Sequence, residues 1–180
     1  MKVMTMKVTR NTHRTRLITA LALSCAVFTA TAFALEAGDA APPIKLPTAT
    51  VPMELAALKG KVVYVDFWAS WCGPCKQSFP WMNDMQGKFA ERGLEIVAIN
   101  VDAKMADAQR FLTTSPARFT VAFDAAGVTP KQFAIKGMPT SYLIDRNGKI
   151  TRVHSGFRDA DRSELEGAIV AALNSDKVKK

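Results

Sequence analysis

Cysteine and histidine are the scarce residues of this 180-residue chain. There are three cysteines, Cys25, Cys72 and Cys75, and two histidines, His13 and His154. A structural zinc takes about four thiolate or imidazole ligands. Beyond residue 34 the chain offers two cysteines and one histidine, too few for such a site. Long apolar runs are also missing past Ala34, so no bilayer span is expected there. There is no internal repeat and no low-complexity linker, and the length suits one ordinary domain plus an extra segment. Acidic residues are absent from the first 34 positions, which carry Lys2, Lys7, Arg10, Arg14 and Arg16. Most of the formal charge of +8 goes with that segment, leaving 19 basic against 16 acidic residues. A nucleic-acid surface needs a basic patch on the folded domain, so none is expected. The short Lys177, Lys179, Lys180 tail is read as solvated.

What is present begins with a charged head followed by the apolar run Leu17 to Ala34, LITALALSCAVFTATAFA. It ends in Ala32-Phe33-Ala34, the small-x-small pattern of a secretory cleavage site. Residues 1–34 are therefore read as a signal peptide, with the mature chain starting at Leu35. The alternatives are a retained anchor and a lipid on Cys25, within Leu23-Ser24-Cys25. Export would remove Cys25 and place Cys72 and Cys75 where disulfides persist. The expected location is the periplasm or another extracytoplasmic space.

Residues 35–60 contain Pro42, Pro43, Pro47 and Pro52, each lacking a backbone donor, and read as an irregular or edge extension with a short hairpin and one helical turn between Leu46 and Leu58. Lys61 to Trp68, KVVYVDFW, is apolar, β-branched and aromatic, as a strand buried on both faces would be. Phe79, Met82, Met85, Gln86 and Phe89 recur at helical spacing and predict a helix from about Gly73 to Ala90. Leu94 to Asp102 reads as a second buried strand, completing a βαβ unit. Met105–Thr114 reads as a helix, Phe119–Asp124 as a strand, and Gly127–Ile135 as a short helix or turn. Thr140–Asp145 and Lys149–His154 form a hairpin about Asn147-Gly148. Asp159–Leu173 closes the chain as an amphipathic helix.

Cys72-Gly73-Pro74-Cys75 falls where a strand ends and a helix begins. Disulfide exchange needs a thiolate, and the free N–H groups and positive dipole end of a helix stabilise an anion. Pro74 suits a first helical turn, where its missing N–H costs least. The two-residue gap brings both sulfurs onto one side of that turn. Cys72 is expected to be the exposed attacker, Cys75 the resolving thiol, and Trp71 a shield on one side. A structural bond across two residues would constrain little chain. Asp66, six residues upstream among Tyr64, Val65, Phe67 and Trp68, is expected to be buried with a raised pKa, and to exchange a proton with Cys75. The alternative is a strand-end carboxylate bonded to backbone. Gly137-Met138-Pro139-Thr140 reads as a tight turn that admits a cis peptide.

VDFWASWCGPC, Val65 to Cys75, resembles the active-site segment of thioredoxins almost residue for residue. Gly137-Met138-Pro139-Thr140, Asn147-Gly148-Lys149 and Gly156 resemble their second half, so the likeness covers most of Lys59 to Leu173. It implies an α/β thioredoxin-like fold over 61–174, a central mixed sheet flanked by helices, with an N-terminal extension and an extra αβ insertion between Asp102 and Gly127. It also implies that Pro139 is a cis-proline facing the disulfide, that the Met138 backbone pairs with substrate peptide, and that Trp71, Gly73 and Pro74 complete the substrate surface. The signal, the Pro-rich start leading into LKGKVVYVDFW and the insertion resemble the exported TlpA/ResA-like subgroup. Members of that subgroup typically reduce exported clients, such as apocytochrome c or copper-site assembly factors, and are re-reduced by a membrane thiol carrier of the DsbD/CcdA type. Three residues depart from these patterns. Ser78 stands where many of the subgroup have Glu, Asp66 where they have a neutral residue, and Ala98 where plain thioredoxins have Lys.

The expectation is therefore an exported thiol–disulfide oxidoreductase, a monomer with no cofactor beyond the Cys72–Cys75 pair and no metal. Gly-Pro between the cysteines is the dipeptide of reducing thioredoxins and sets the expected direction by resemblance. The alternatives are an oxidising or isomerising exchanger and a Cu(I)-binding module, for which His154 is the only added ligand available. Client recognition is expected around Trp71, Met138 and Phe157. A peroxidase is disfavoured, because Ala69, Ser70 and Trp71 precede Cys72 where peroxiredoxins place Pro and Thr.

Overall fold

The computed structural model describes residues 34–175. Residues 1–33 of the segment read as a signal, Cys25 included, and the three tail lysines lie outside the described residues. No described helix is long and apolar enough to cross a membrane.

The chain runs through β1 (Lys45–Leu46), β2 (Met53–Glu54), a 3-10 turn (Leu55–Leu58), β3 (Val62–Trp68), α1 (Gly73–Phe89), β4 (Leu94–Asn100), α2 (Met105–Thr114), β5 (Thr120–Phe123), α3 (Val128–Gln132), β6 (Thr140–Ile144), β7 (Ile150–Ser155) and α4 (Arg162–Asn174). Strands β3 to β7 form one sheet in the order β5-β4-β3-β6-β7, parallel on the β5-β4-β3 side and antiparallel on the β3-β6-β7 side. This is the mixed sheet of a thioredoxin-like fold, with helices on its faces. β3 is central, and all seven of its residues are buried.

Side chains alternate across a strand, and β3 divides the core accordingly. Val62, Tyr64 and Trp68 join α1, α4, Cys72 and Cys75 in one cluster. Val63, Val65 and Phe67 join the opposite cluster with Phe133 and Ile144. Alternation places Asp66 on the first of these faces, the one that carries the cysteines. At the β3 end nearest them, Trp68, Phe79 and Phe111 pack in a triangle with ring centroids 4.8 to 5.0 Å apart. Each such aromatic pair adds roughly 0.5–1.5 kcal/mol beyond its buried area. Phe111 comes from α2, so the inserted αβ element helps build the floor of the site.

The extension is better integrated than a Pro-rich run suggests. Ile44, Leu46, Met53 and Leu55 are buried in the second cluster. Gly38 N–H donates to the Ile150 carbonyl and Ile150 N–H to the Asp39 carbonyl, each at 2.8 Å, along the β7 edge. Phe123 N–H donates to the Pro47 carbonyl at 2.9 Å along the β5 edge. The segment thus straps one sheet face and occupies both edges, which leaves less unpaired edge for another chain to add to.

Two local readings are refined. The β6–β7 connection is not a two-residue turn with both central residues at positive φ. Gly148 N–H closes a turn onto the Asp145 carbonyl at 3.0 Å, and Asp145 N–H pairs with the Lys149 carbonyl at 2.8 Å. Of the central residues only Gly148 is at positive φ, at 83°, which is the three-residue form with a bulge. The terminal helix begins as a 3-10 turn, Asp159–Asp161, before α4.

Candidate active site

The site is built where β3 leaves the sheet and α1 begins. Cys72 is the N-cap of α1, with Gly73 and Pro74 in the first turn. Cys75 N–H donates to Cys72 Sγ at 3.2 Å, so the sulfur takes one of the free donors at the helix start. The two cysteines are disulfide-bonded, with Cα atoms 5.3 Å apart, inside the usual range for a bridge. Cys75 has no exposed surface and Cys72 is 6% exposed. Cys72 is therefore less open than expected, and it is the member of the pair that keeps some surface.

Trp71 lies at the surface beside the pair. It is 72% exposed and stands on the rim of a concavity of about 410 Å³ beside Cys72, shared with Ser70, Lys76, Arg110 and Phe111. Two larger surface grooves, about 960 and 600 Å³, contain no cysteine. Phe157 is also misplaced as a client contact. It is buried, with its ring 5.6 Å from that of Trp81.

Asp66 is 2% exposed, and its Oδ2 has no hydrogen-bond partner among the described residues. Burial raises its pKa well above the usual carboxylate value. A strand-end carboxylate bonded to backbone would not show this orphaned oxygen. Ala98 is its register partner on β4, so no cation faces it from that side. Ser78 is buried and donates to the Cys75 carbonyl at 3.0 Å, which places a hydroxyl one turn into α1 where a carboxylate is common in the subgroup.

The Met138–Pro139 peptide is cis. Thr140 opens β6 opposite Phe67 at the end of β3, so Met138 and Pro139 enter the sheet at the end from which Cys72 departs. Met138 packs against the cluster containing both cysteines. Gly156 N–H donates to the Pro139 carbonyl at 2.8 Å, and Thr140 Oγ1 to the Gly137 carbonyl at 2.7 Å. Both bonds brace that turn.

A bracket beneath the loop went unread in the sequence. Asp102 accepts from Ser70 N–H at 2.9 Å, from Ser70 Oγ at 3.0 Å and from Asn100 Nδ2 at 2.8 Å. It ties the segment before Cys72 to the end of β4. Two polar residues, Asn100 and Asp102, following a buried apolar strand were the available signal. Asp102→Ala is expected to lose about 2 kcal/mol of stability, the scale of hydrogen bonds to a charged group. Denaturant unfolding of the disulfide form measures it, and a loss below about 0.5 kcal/mol would mean the bracket is slack.

Among the described residues no group of three or more His, Cys, Asp and Glu is placed to hold a metal. His154, the one added ligand available for copper, lies 3.4 Å from Asp161.

The redoxin family profile matches residues 36–169. The chain belongs to the redoxin family. Among curated relatives of this redoxin, the thiol-disulfide oxidoreductase ResA of Oceanobacillus iheyensis is 36% identical over 132 residues, covering 71% of this chain and 69% of the relative. ResA of Bacillus thuringiensis subsp. konkukian is 35% identical over 112 residues, 62% of this chain. The match covers 65% of that relative, just under two thirds of its length. Among solved structures, a Chlorobium tepidum protein assigned as a thiol:disulfide interchange protein DsbE is 57% identical with a TM-score of 0.77, covering 78% of this chain and 99% of that one.

Proposed function

We propose that this redoxin is an extracytoplasmic thiol–disulfide oxidoreductase that reduces disulfides of exported client proteins. The observation that carries the reading is Cys72 at the N-cap of α1, bonded to Cys75 and accepting its N–H. In the reduced protein the same donors and helix end favour a Cys72 thiolate. That thiolate attacks one sulfur of a client disulfide and expels the other as a thiolate. Cys75 then attacks Cys72 Sγ, releases the second client sulfur and closes the Cys72–Cys75 bond. Asp66, on the face that carries the cysteines, takes the Cys75 proton. Met138 offers backbone beside the pair, Pro139 shapes that turn, and Trp71, Gly73 and Pro74 form the rim that the client meets.

A membrane thiol carrier supplies two electrons to reopen the bond. The monomer works outside the cytoplasm, delivered by residues 1–34 and either released or held at the membrane. Clients of the cytochrome c or copper-site maturation type fit the subgroup resemblance. The reduction potential of the Cys72–Cys75 couple, measured by equilibration with thiol buffers, tests the direction. The expected value lies near the roughly −270 mV of thioredoxin, and one near the about −120 mV of a strong oxidant would reverse the assignment.

A further inference from the structure

Asp66 begins a buried polar row. The register places it opposite Ser141 on β6, and Ser141 opposite His154 on β7. Opposed residues on antiparallel strands share a face, with Cβ atoms about 4.5–5.5 Å apart. Their neighbours Val65, Tyr142 and Val153 belong to the opposite cluster, so all three members point toward α1 and α4. On the β4 side the row stops at Ala98. It therefore runs one way, from the centre of the sheet face that carries the cysteines toward the β7 edge.

The hydrogen bonding along this row is incomplete in a telling way. Tyr64 OH donates to Ser141 Oγ at 2.8 Å. A hydroxyl that accepts one bond still has its own proton to give and a second lone pair to receive. On either side of it, Asp66 Oδ2 and His154 Nε2 are buried without hydrogen-bond partners among the described residues. Buried polar atoms are normally satisfied; here Asp66 Oδ2 is left over on one side of the hydroxyl, and on the other His154 turns its Nε2 toward Asp161. His154 Nε2 lies 3.4 Å from Asp161 Oδ2. Asp161 is in turn held by Arg158, whose side chain is 81% exposed. The row thus lines up polar groups from the buried carboxyl toward solvent, with no direct hydrogen bond between Asp66 and Ser141 or between Ser141 and His154 among the described residues. The charged groups around His154 are Asp161 and Arg158 from the segment before α4, and Arg152 on its own strand, which is ion-paired to Glu164 of α4. Tyr64 faces Ser141 from β3.

We propose that Ser141 and His154 are positioning residues of a proton relay that links Asp66 to solvent beside Asp161. The proposal rests on the oxidoreductase reading above. When Cys75 attacks Cys72 Sγ, the bond between Cys72 and the client breaks and its electron pair leaves with the client sulfur. The Cys75 proton passes to the Asp66 carboxylate. Side-chain rotation closes each gap in turn: Asp66 gives that proton to Ser141 Oγ as Ser141 gives its own to His154 Nδ1, and His154 releases one from Nε2 to solvent beside Asp161. One proton enters the row and one leaves. Re-reduction by the thiol donor runs the row in reverse.

The test is stopped-flow mixing of the reduced protein with the aromatic disulfide dithiobis(nitrobenzoate), whose two thiolate releases report attack and resolution separately. Ser141→Ala and His154→Gln are each expected to slow the second release about tenfold near neutral pH, a fraction of a full general-base effect, with the first release changed less than about twofold. Free imidazole is expected to restore the second release in His154→Gly, and Ser141→Ala stands in if that variant does not fold. If Asp66→Asn slows the second release while Ser141→Ala and His154→Gln do not, the relay is wrong and the role of Asp66 stands. If Asp66→Asn has no effect either, the relay falls together with the proton role it depends on. A slowing that is uniform across pH and unmoved by imidazole also overturns it, since a purely structural defect behaves that way.

Discussion

Cys72→Ser is expected to bring disulfide reduction down to background, and Cys75→Ser to arrest the reaction halfway, with client covalently held on Cys72. The burial of the two sulfurs separates their roles. Cys75 is sealed inside α1, and Cys72 alone keeps surface. On the proposed mechanism Cys72 meets the client sulfur, and Cys75 lies behind it to reopen the mixed bond. Serine at position 72 keeps the N-cap acceptor, so the helix should form and the loss should be chemical. A hydroxyl is almost fully protonated near neutral pH, whereas a helix-capping thiol supplies thiolate. The expected loss in turnover is on the order of a thousandfold or more, as when other enzymes lose their nucleophile. Reduction of a disulfide protein such as insulin reads the first variant, and intact-mass detection of adducts reads the second. Full turnover by Cys75→Ser would remove Cys75 from the resolving role.

Much of the architecture behind this prediction was legible beforehand. The apolar run over Val62–Trp68 and the helical spacing from Phe79 to Phe89 are one-dimensional patterns with few competing folds. The strand-to-helix junction locates the dithiol without any long-range information. The residues that escaped notice depend on contacts between distant segments. Asp102 meets Ser70 across 32 positions, and Ser141 meets Asp66 only through the β3–β6 register. Neither pairing leaves a mark on local periodicity.

Trp71 and Phe157 show the converse. An aromatic residue beside a functional motif can turn either inward or outward, and nearby sequence does not decide which. Phe157 turns inward because Trp81 offers a ring to pack against. Among the described residues Trp71 has no ring to pack against, and it stands on the rim of the concavity beside Cys72. On the proposed function the client surface is the Trp71 rim and the Met138 turn, without Phe157.

Asp66→Asn carries the other large expected effect, and it acts on stability and rate in opposite directions. Burial raises the folded-state pKa of Asp66, while in the unfolded chain it titrates near its ordinary value of about 3.9. Between those two values the folded protein holds a proton that the unfolded chain has released. Stability therefore falls as pH rises through that window, by up to about 1.4 kcal/mol per pH unit. Below the unfolded value Asp66 is protonated in both states and contributes no slope. Asparagine cannot ionise, so the variant should lose this slope and exceed the parent in stability near neutral pH. Denaturant unfolding of the disulfide form from about pH 4 to pH 8 isolates the effect, because bonded cysteines do not titrate. The same substitution removes the carboxyl that exchanges a proton with Cys75, and resolution of the mixed disulfide should slow about a hundredfold near neutral pH. A carboxyl that weakens the fold at working pH yet speeds the chemistry is the trade-off expected of a site residue. A parent whose stability stays flat across the window, or a variant that resolves at the parental rate, would take Asp66 out of the mechanism.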